Sequence, residues 1–441
     1  MTESKSRRDF LRKAAAAAAL ASAFGESARG AGSDPDDDLE PIPQAQARTP
    51  IGADGVVTVG VIGTGGMGTG HAEALARFAA ESKSIRVAAL CDLCDPRVQN
   101  AKARVDKVQG GDVQTYRRSE DLLARPDIHG VLIASPEHWH ARLAEDAIKA
   151  GKDVYVEKPM TINLKDALRL RKVVQANPGA IVVVGTQFVM TPSYMAAETL
   201  VKEGAIGKPV WSQTSYCRNS KTGEWNYYAL DPAWKPGENL DWERWCKPLG
   251  KAKWSPEVYA RWRRYKKYSS GIIGDLLVHH VTPTLKALSE VGWPVKVAAT
   301  GGHYIDKAME NPDQININVE FEHDHSMMIA GSTCNELGVE RIIRGHKANL
   351  FVGGRNAVIR PERIWADEIE EREIPPPPGP VLDPQEVLRR HWIDCIRTRQ
   401  APRSDVELGT KVMVIVDLAQ RSFWEGGAFG FDPRSGKVKR L

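Results

Sequence analysis

Long apolar runs are scarce in this chain, so no integral membrane span is expected in the mature protein. The longest candidate, Ala14 to Ala21, is far shorter than the roughly 20 residues that a bilayer-spanning helix needs. Cysteine is also scarce: six among 441 residues are too few for a disulfide-dense scaffold. Cys91-x-x-Cys94 lacks a second pair at zinc spacing, and Cys91 ends an apolar stretch, so packing explains the pair better than redox or metal chemistry. Excess charge of one sign is missing as well. The formal net charge is +4, and residues 1–31 alone carry +3, which leaves no nucleic-acid footprint. No internal repeat is present.

What is present begins with Ser6-Arg7-Arg8-x-Phe10-Leu11, followed by Arg12, Lys13 and the alanine run. This order resembles a twin-arginine (Tat) signal, which a transporter reads and which does not act as an anchor. An Ala-rich helix is the alternative. The expectation is a signal over 1–31, the Tat export machinery as a partner, and a periplasmic destination. Twin-arginine substrates fold before export, so their thiols first meet a reducing compartment. Residues 32–55 are acidic and Pro-rich, with almost no large apolar side chains to build a core, and read as a disordered linker.

From Val56 the pattern changes. VTVGVIG, IRVAAL, GVLIAS, DVYVE and AIVVVGTQ are short continuous apolar runs separated by segments of helical length. Strands buried on both faces read this way, which predicts a doubly wound parallel sheet over 56–187. QININVEFE, Gln314–Glu322, instead alternates strictly, as a half-buried strand does, and HDH then SMMIAGS suggest a hairpin return. The second unit, 188–380, is therefore expected to be α/β with an open, mostly antiparallel sheet. His323 and His325 in the hairpin turn have no evident third partner for a metal. Residues 381–441 read as a helical segment packing back on both units.

Gly63-x-Gly65-x-x-Gly68 ends the first strand and opens a helix, with Gly66 and Met67 inside the loop. Such a turn lets a pyrophosphate approach the backbone at a helix N-terminus. Asp92 closes the second strand, where a carboxylate accepts both ribose hydroxyls and repels a 2′-phosphate. NAD is therefore expected over NADP, and Arg97 nearby keeps NADP open. Glu157-Lys158-Pro159 ends a later strand, on the side where open parallel sheets bind ligands. Asp275 and His279 are four apart and share one face of a helix, a pairing that can bind a diol and take its proton. His280 points elsewhere. Asn163 reads as a helix N-cap. Six tryptophans fall within 219–265, divided between sugar stacking and core filling, and RWRRYKKY, Arg261–Tyr268, reads as a solvated basic face.

The glycine fingerprint, CDLCDPR, SPEHWH, Glu157-Lys158-Pro159, Asp275-x-x-x-His279 and the closing HWIDCIRTRQAPRSDVELG stand in the order found in the glucose–fructose oxidoreductase/inositol dehydrogenase (Gfo/Idh/MocA) family. The resemblance covers about Val56 to Pro433. It implies a Rossmann domain and an α/β domain whose sheet often carries homo-oligomer contacts, in a dimer or tetramer. It implies that Lys158 polarises a carbohydrate hydroxyl, that His279 is the general acid/base, and that Asp275 orients the sugar and assists His279. It places Ser135, Pro136, His138 and His140 near the nicotinamide, expects no metal, and expects a cis peptide before Pro159. Where the family often has Asp after the His pair, this chain has Thr282 and Pro283. The implied activity is hydride transfer between a sugar or polyol and tightly bound nicotinamide. A redox-neutral glycoside hydrolase, lyase or epimerase using transient oxidation, and a non-catalytic sugar sensor, are the alternatives.

Overall fold

Six parallel strands, β1 (Val57–Ile62), β2 (Ile85–Cys91), β3 (Gln114–Tyr116), β4 (Gly130–Ile133), β5 (Asp153–Glu157) and β6 (Val182–Gly185), lie in the order β3-β2-β1-β4-β5-β6. The computed structural model describes residues 41–441 except 53, 54, 289 and 381. The expected signal and residues 32–40 lie outside the described residues. Helices α1 (Gly66–Ser82), α2 (Asp95–Gln109), α3 (Ser119–Leu123), α4 (Glu137–Lys149) and α5 (Leu164–Ala176) connect the strands. The five expected apolar runs form strands. The short edge strand β3 is polar and escaped the pattern. Strand order reverses between β1 and β4, and in doubly wound sheets that crevice is where dinucleotides bind.

The second sheet has ten strands in the order β14-β13-β12-β11-β7-β10-β9-β8-β15-β16. Its strands are β7 (Pro209–Cys217), β8 (Pro294–Gly302), β9 (Gln314–Phe321), β10 (Ser326–Ser332), β11 (Ile342–Gly345), β12 (Ala348–Phe351), β13 (Ala357–Pro361), β14 (Arg372–Ile374), β15 (Ala428–Phe431) and β16 (Val438–Arg440). All neighbours are antiparallel except β7 with β10. In β9, Ile315, Ile317, Val319 and Phe321 are buried while Asn316, Asn318 and Glu320 are exposed, as the alternation required. Further helices are α6 (Pro192–Lys202), α7 (Trp242–Cys246), α8 (Pro256–Arg261), α9 (Val278–Ala287), α10 (Pro384–Thr398) and α11 (Val406–Glu425). α9 packs on β7, and α11 packs on β8 and on α5, so α11 ties the two sheets together.

Two expectations are corrected. The closing segment is not purely helical. Gly426 and Gly427, both at positive φ, end α11 and turn the chain back, so that β15 pairs with β8 and carries Phe429 and Phe431 into the core. The expected linker is held at its C-terminal part. Ala45 N donates to Asn177 Oδ1 at 2.8 Å, Gln46 N to the Lys149 carbonyl at 2.9 Å, and Arg48 Nε to Asp153 at 3.2 Å. Composition foretold no apolar core there, and the docking is mainly polar, with Ala45 and Ile51 adding apolar contact to the main core. Asn163 caps α5 as expected, accepting from Asp166 N at 2.8 Å.

α10 is seated by Trp392, which is fully buried with its ring 5.8 Å from that of Tyr155 on β5. Trp392→Ala leaves a cavity between α10 and the parallel sheet. It is expected to cost about 3–5 kcal/mol of unfolding free energy, measured by denaturant titration.

Candidate active site at the strand ends

The glycine loop has the geometry a dinucleotide needs. Gly63 turns at φ +88°, and a Cβ there would lie 2.6 Å from Ser135 N. A Cβ on Gly68 would lie 1.7 Å from the Gly63 carbonyl oxygen, so only glycine lets α1 pack this closely on β1. Gly66 faces open space. The loop borders a cleft of ≈ 560 Å³, within the range of cofactor sites, also lined by Gly65, Met67, Asp92, Ser135 and Pro136. Six arginines line it, residues 77, 97, 117, 244, 263 and 389, against one carboxylate, Asp92. This charge balance suits a pyrophosphate. The residues present therefore fit NAD.

Asp92 does more than face the ribose position. Its Oδ2 accepts from Thr64 N at 2.6 Å and Thr64 Oγ1 at 3.1 Å, and its Oδ1 from Cys94 N at 2.9 Å. It braces the glycine loop and keeps part of its acceptor capacity for a ligand.

The far wall of the cleft comes from the tryptophan-rich strap, residues 219–268. Asp95 N donates to the Asn239 carbonyl at 2.8 Å and Asp241 N to that of Leu93 at 3.0 Å, pairing the strap with the turn after β2. Cys94, Leu240, Trp242, Trp245, Cys246, Tyr259, Trp262 and Tyr268 form a separate apolar cluster. The Arg97 guanidinium lies 4.8 Å from the Trp234 ring and 4.3 Å from that of Tyr259. Core filling thus accounts for most of these tryptophans, with Trp245 and Trp262 also lining the cleft.

Beyond Arg263 lies a buried charge cluster. Lys158 Nζ donates to Asp275 Oδ1 at 2.8 Å and to the Asp275 carbonyl at 3.0 Å, and Arg263 Nε donates to the same Oδ1 at 2.8 Å. Burial alone would raise the Asp275 pKa, but the Arg263 and Lys158 charges outweigh it and hold the carboxyl well below the usual range. The Lys158–Pro159 peptide is cis. Glu157 does not line the cleft. It accepts from His71 Nε2 at 2.8 Å, while Arg389 Nη1 donates to His71 Nδ1 at 3.2 Å, so the three brace the end of β5.

Asp275 and His279 do not share one regular α-helix. Residues Ile272–Leu277 form a π-helix that runs into α9, and Pro283 inside α9 cannot donate to the His279 carbonyl. Such wide turns concentrate at functional sites. The cue was Pro283 four residues after His279. His279 is buried between Phe188 and Tyr216, with each ring centroid 5.5 Å away. Burial and then the Lys158 charge push its pKa well down, so the imidazole is neutral and able to accept a proton. Its Nδ1 is buried without a hydrogen-bond partner. His280 stacks on Phe188 at 4.8 Å as packing, and Thr282 and Pro283 are buried beside it.

Two expectations fail here. Like Lys158, Asp275 and His279, His138 and His140 do not line the cleft, but these two are also committed to backbone carbonyls. His138 Nε2 bonds the Trp245 carbonyl at 2.9 Å, and His140 bonds the carbonyls of Pro159 and Ser135, each at 2.7 Å. On α4 both turn inward as scaffold, and burial pushes the His138 pKa down to about 4. The RWRRYKKY stretch is not simply a solvated face either. Arg263 stands on Asp275, and Arg264 is buried against Asp306 at 2.7 Å. Sequence reasoning missed Arg263 because it stands in a run of basic residues that reads as solvated, while its partner Asp275 lies twelve residues on in a different element.

Residues 57–186 match the description "Oxidoreductase family, NAD-binding Rossmann fold", and residues 250–429 match that family's C-terminal alpha/beta domain. The chain belongs to the Gfo/Idh/MocA oxidoreductase family. The inositol 2-dehydrogenase of Gluconacetobacter diazotrophicus is 32% identical over 165 residues, 37% of this chain and 47% of that protein. That of Saccharopolyspora erythraea is 32% identical over 155 residues, covering 35% and 44%. The chain thus matches about half the length of these curated relatives. Among solved structures, an NAD binding oxidoreductase from Klebsiella pneumoniae superposes with a TM-score of 0.65 at 21% identity, covering 85% of this chain and 98% of that one. Levoglucosan dehydrogenase in complex with NADH and levoglucosan superposes at 0.63 with 20% identity, covering 84% and 98%. At these identities the likeness is one of fold.

Gly68→Ala is expected to abolish cofactor binding, because its Cβ collides with the loop backbone. Quenching of tryptophan fluorescence by added NADH measures this.

Proposed function

We propose that the protein is an exported NAD-dependent dehydrogenase of sugars or polyols. The observation that carries this reading is Lys158 on Asp275, with neutral His279 close enough to sense both charges, beside an arginine-lined dinucleotide cleft. Asp275 Oδ2, which has no protein hydrogen bond among the described residues, accepts a substrate hydroxyl. Lys158 Nζ polarises the reacting oxygen, and His279 takes its proton. The bound nicotinamide supplies the hydride acceptor. The relatives that act on inositol and levoglucosan support this substrate class. The N-terminal sequence pattern supports export to the periplasm through the Tat machinery. Self-association through the open face of the ten-stranded sheet, where Trp211 is exposed, belongs to the same reading.

Lys158→Ala and His279→Ala are each expected to lower turnover by about 10²–10⁴-fold while NAD stays bound, since both stand on the substrate side. A screen of sugars and polyols for ketone or lactone products, with wild type and both variants, tests this. Wild-type turnover in either variant refutes the assignment.

The strap favours a second feature, a cofactor retained through many cycles. That is needed outside the cytoplasm, where no nicotinamide pool exists. Either a second substrate returns the hydride, or a redox-neutral reaction restores NAD in place. Protein purified without added cofactor is expected to release near-stoichiometric NAD(H) on denaturation and to turn over in cofactor-free buffer. An empty protein means an ordinary dissociable dehydrogenase.

A further inference from the structure

Glu137 is a buried carboxyl that the steps above do not use. It is the first residue of α4, two positions beyond Ser135, and only 1% of it is exposed. It reaches to the turn that leads into the π-helix. Its Oε1 accepts from Ser269 Oγ at 2.7 Å, and its Oε2 lies 3.4 Å from Ser270 N. Ser269 Oγ accepts in turn from Gly271 N at 3.0 Å, immediately before the helix that carries Asp275. One hydroxyl therefore links Glu137 to the backbone that places Asp275.

The charged groups facing Glu137 are Asp275 on the π-helix, Arg263 on the strap and Lys158 after β5. On its own helix, His138 is turned toward Trp245 and Tyr268. Burial, and then the negative charge of Asp275, raise the Glu137 pKa, while the Ser269 hydrogen bond and the two cations lower it. The balance is about 7.

We propose that Glu137 is a positioning residue whose ionisation sets the net charge of the Lys158–Asp275–Arg263 cluster. Two cations and one anion leave the cluster with one net positive charge when Glu137 is protonated, and neutral when it is ionised. This deepens the dehydrogenase reading and rests on it for its consequence in turnover. During oxidation the carbinol C–H leaves as hydride to the nicotinamide, the O–H proton passes to His279, and the C–O bond becomes a carbonyl. A proton arriving at His279 is better tolerated when Glu137 is negative, so oxidation is favoured above its pKa and carbonyl reduction below it.

The test uses the full chain with Glu137→Gln, Ser269→Ala and Lys158→Met. A carboxyl whose folded pKa is raised from 4.5 to about 7 destabilises the fold progressively across that window. The melting temperature of Glu137→Gln relative to wild type should therefore rise from pH 4.5 to about 7 and then stay level. In the Lys158→Met background the upper edge of this window should move to higher pH, because a facing cation is gone. Ser269→Ala, which leaves Glu137 in place, should move the wild-type inflection the same way. Sugar oxidation should climb through an inflection near pH 7 in wild type and lose it in Glu137→Gln. A pH-independent melting difference, a window unmoved by Lys158→Met, or an inflection that survives in Glu137→Gln overturns the proposal. A moving window in a protein that oxidises no sugar or polyol supports the charge coupling and refutes the dehydrogenase reading.

Discussion

The contact on which the site depends is the buried ion pair between Lys158 and Asp275. Lys158 follows β5 of the parallel sheet, and Asp275 sits on the π-helix that leads into α9 against the second sheet. Removing two charges from water costs several kcal/mol each, and the loss is offset only when geometry and extra hydrogen bonds are good. Here the second cation, Arg263, and the Asp275 carbonyl supply those bonds. The pair cannot be satisfied unless both sheets and the strap are in place. An arrangement that is costly when incomplete and held when complete also fixes the register in which a hydroxyl would meet Lys158 and His279.

Much of the architecture was legible from Val56 onward because buried parallel strands write continuous apolar runs and half-buried ones alternate. The glycine loop was legible for a mechanical reason: each glycine sits where a Cβ would strike backbone or close the approach. Lys158, Asp275 and His279 were legible as a set through the order of motifs they share with a family, since nothing local marks a lysine at a strand end as buried. The misses have a common cause. Glu137 and the strand β15 acquire their roles from partners more than a hundred residues away, and Arg263 from a residue twelve positions on in a different element, all beyond the reach of periodicity. His138 and His140 were misplaced because a helix that starts at a strand end turns some of its first residues inward, and composition does not say which.

The π-helix is the local irregularity that sequence periodicity could not resolve. Gly271 at φ +57° opens it, and the Ser270 hydroxyl fills the place of a Cβ on Gly274, 1.9 Å away. Pro283 then withholds a donor from the His279 carbonyl. These departures set Asp275 at the ion pair and His279 between two aromatic rings, an arrangement a regular helix with the same four-residue spacing would not give.

The strap has a consequence for how the molecule comes apart. It meets the parallel sheet through the turn after β2, through Arg97 between two rings, and through a small apolar cluster separate from the main core. A segment seated on its own satellite cluster opens at lower free energy than the body beneath it. A dinucleotide lying between the glycine loop and the strap touches both, so its binding energy adds to the docking energy of that one segment. The empty protein and the loaded one would then differ little in their core and greatly in the first bond a protease finds, and proteolytic lifetime becomes a property of cofactor occupancy.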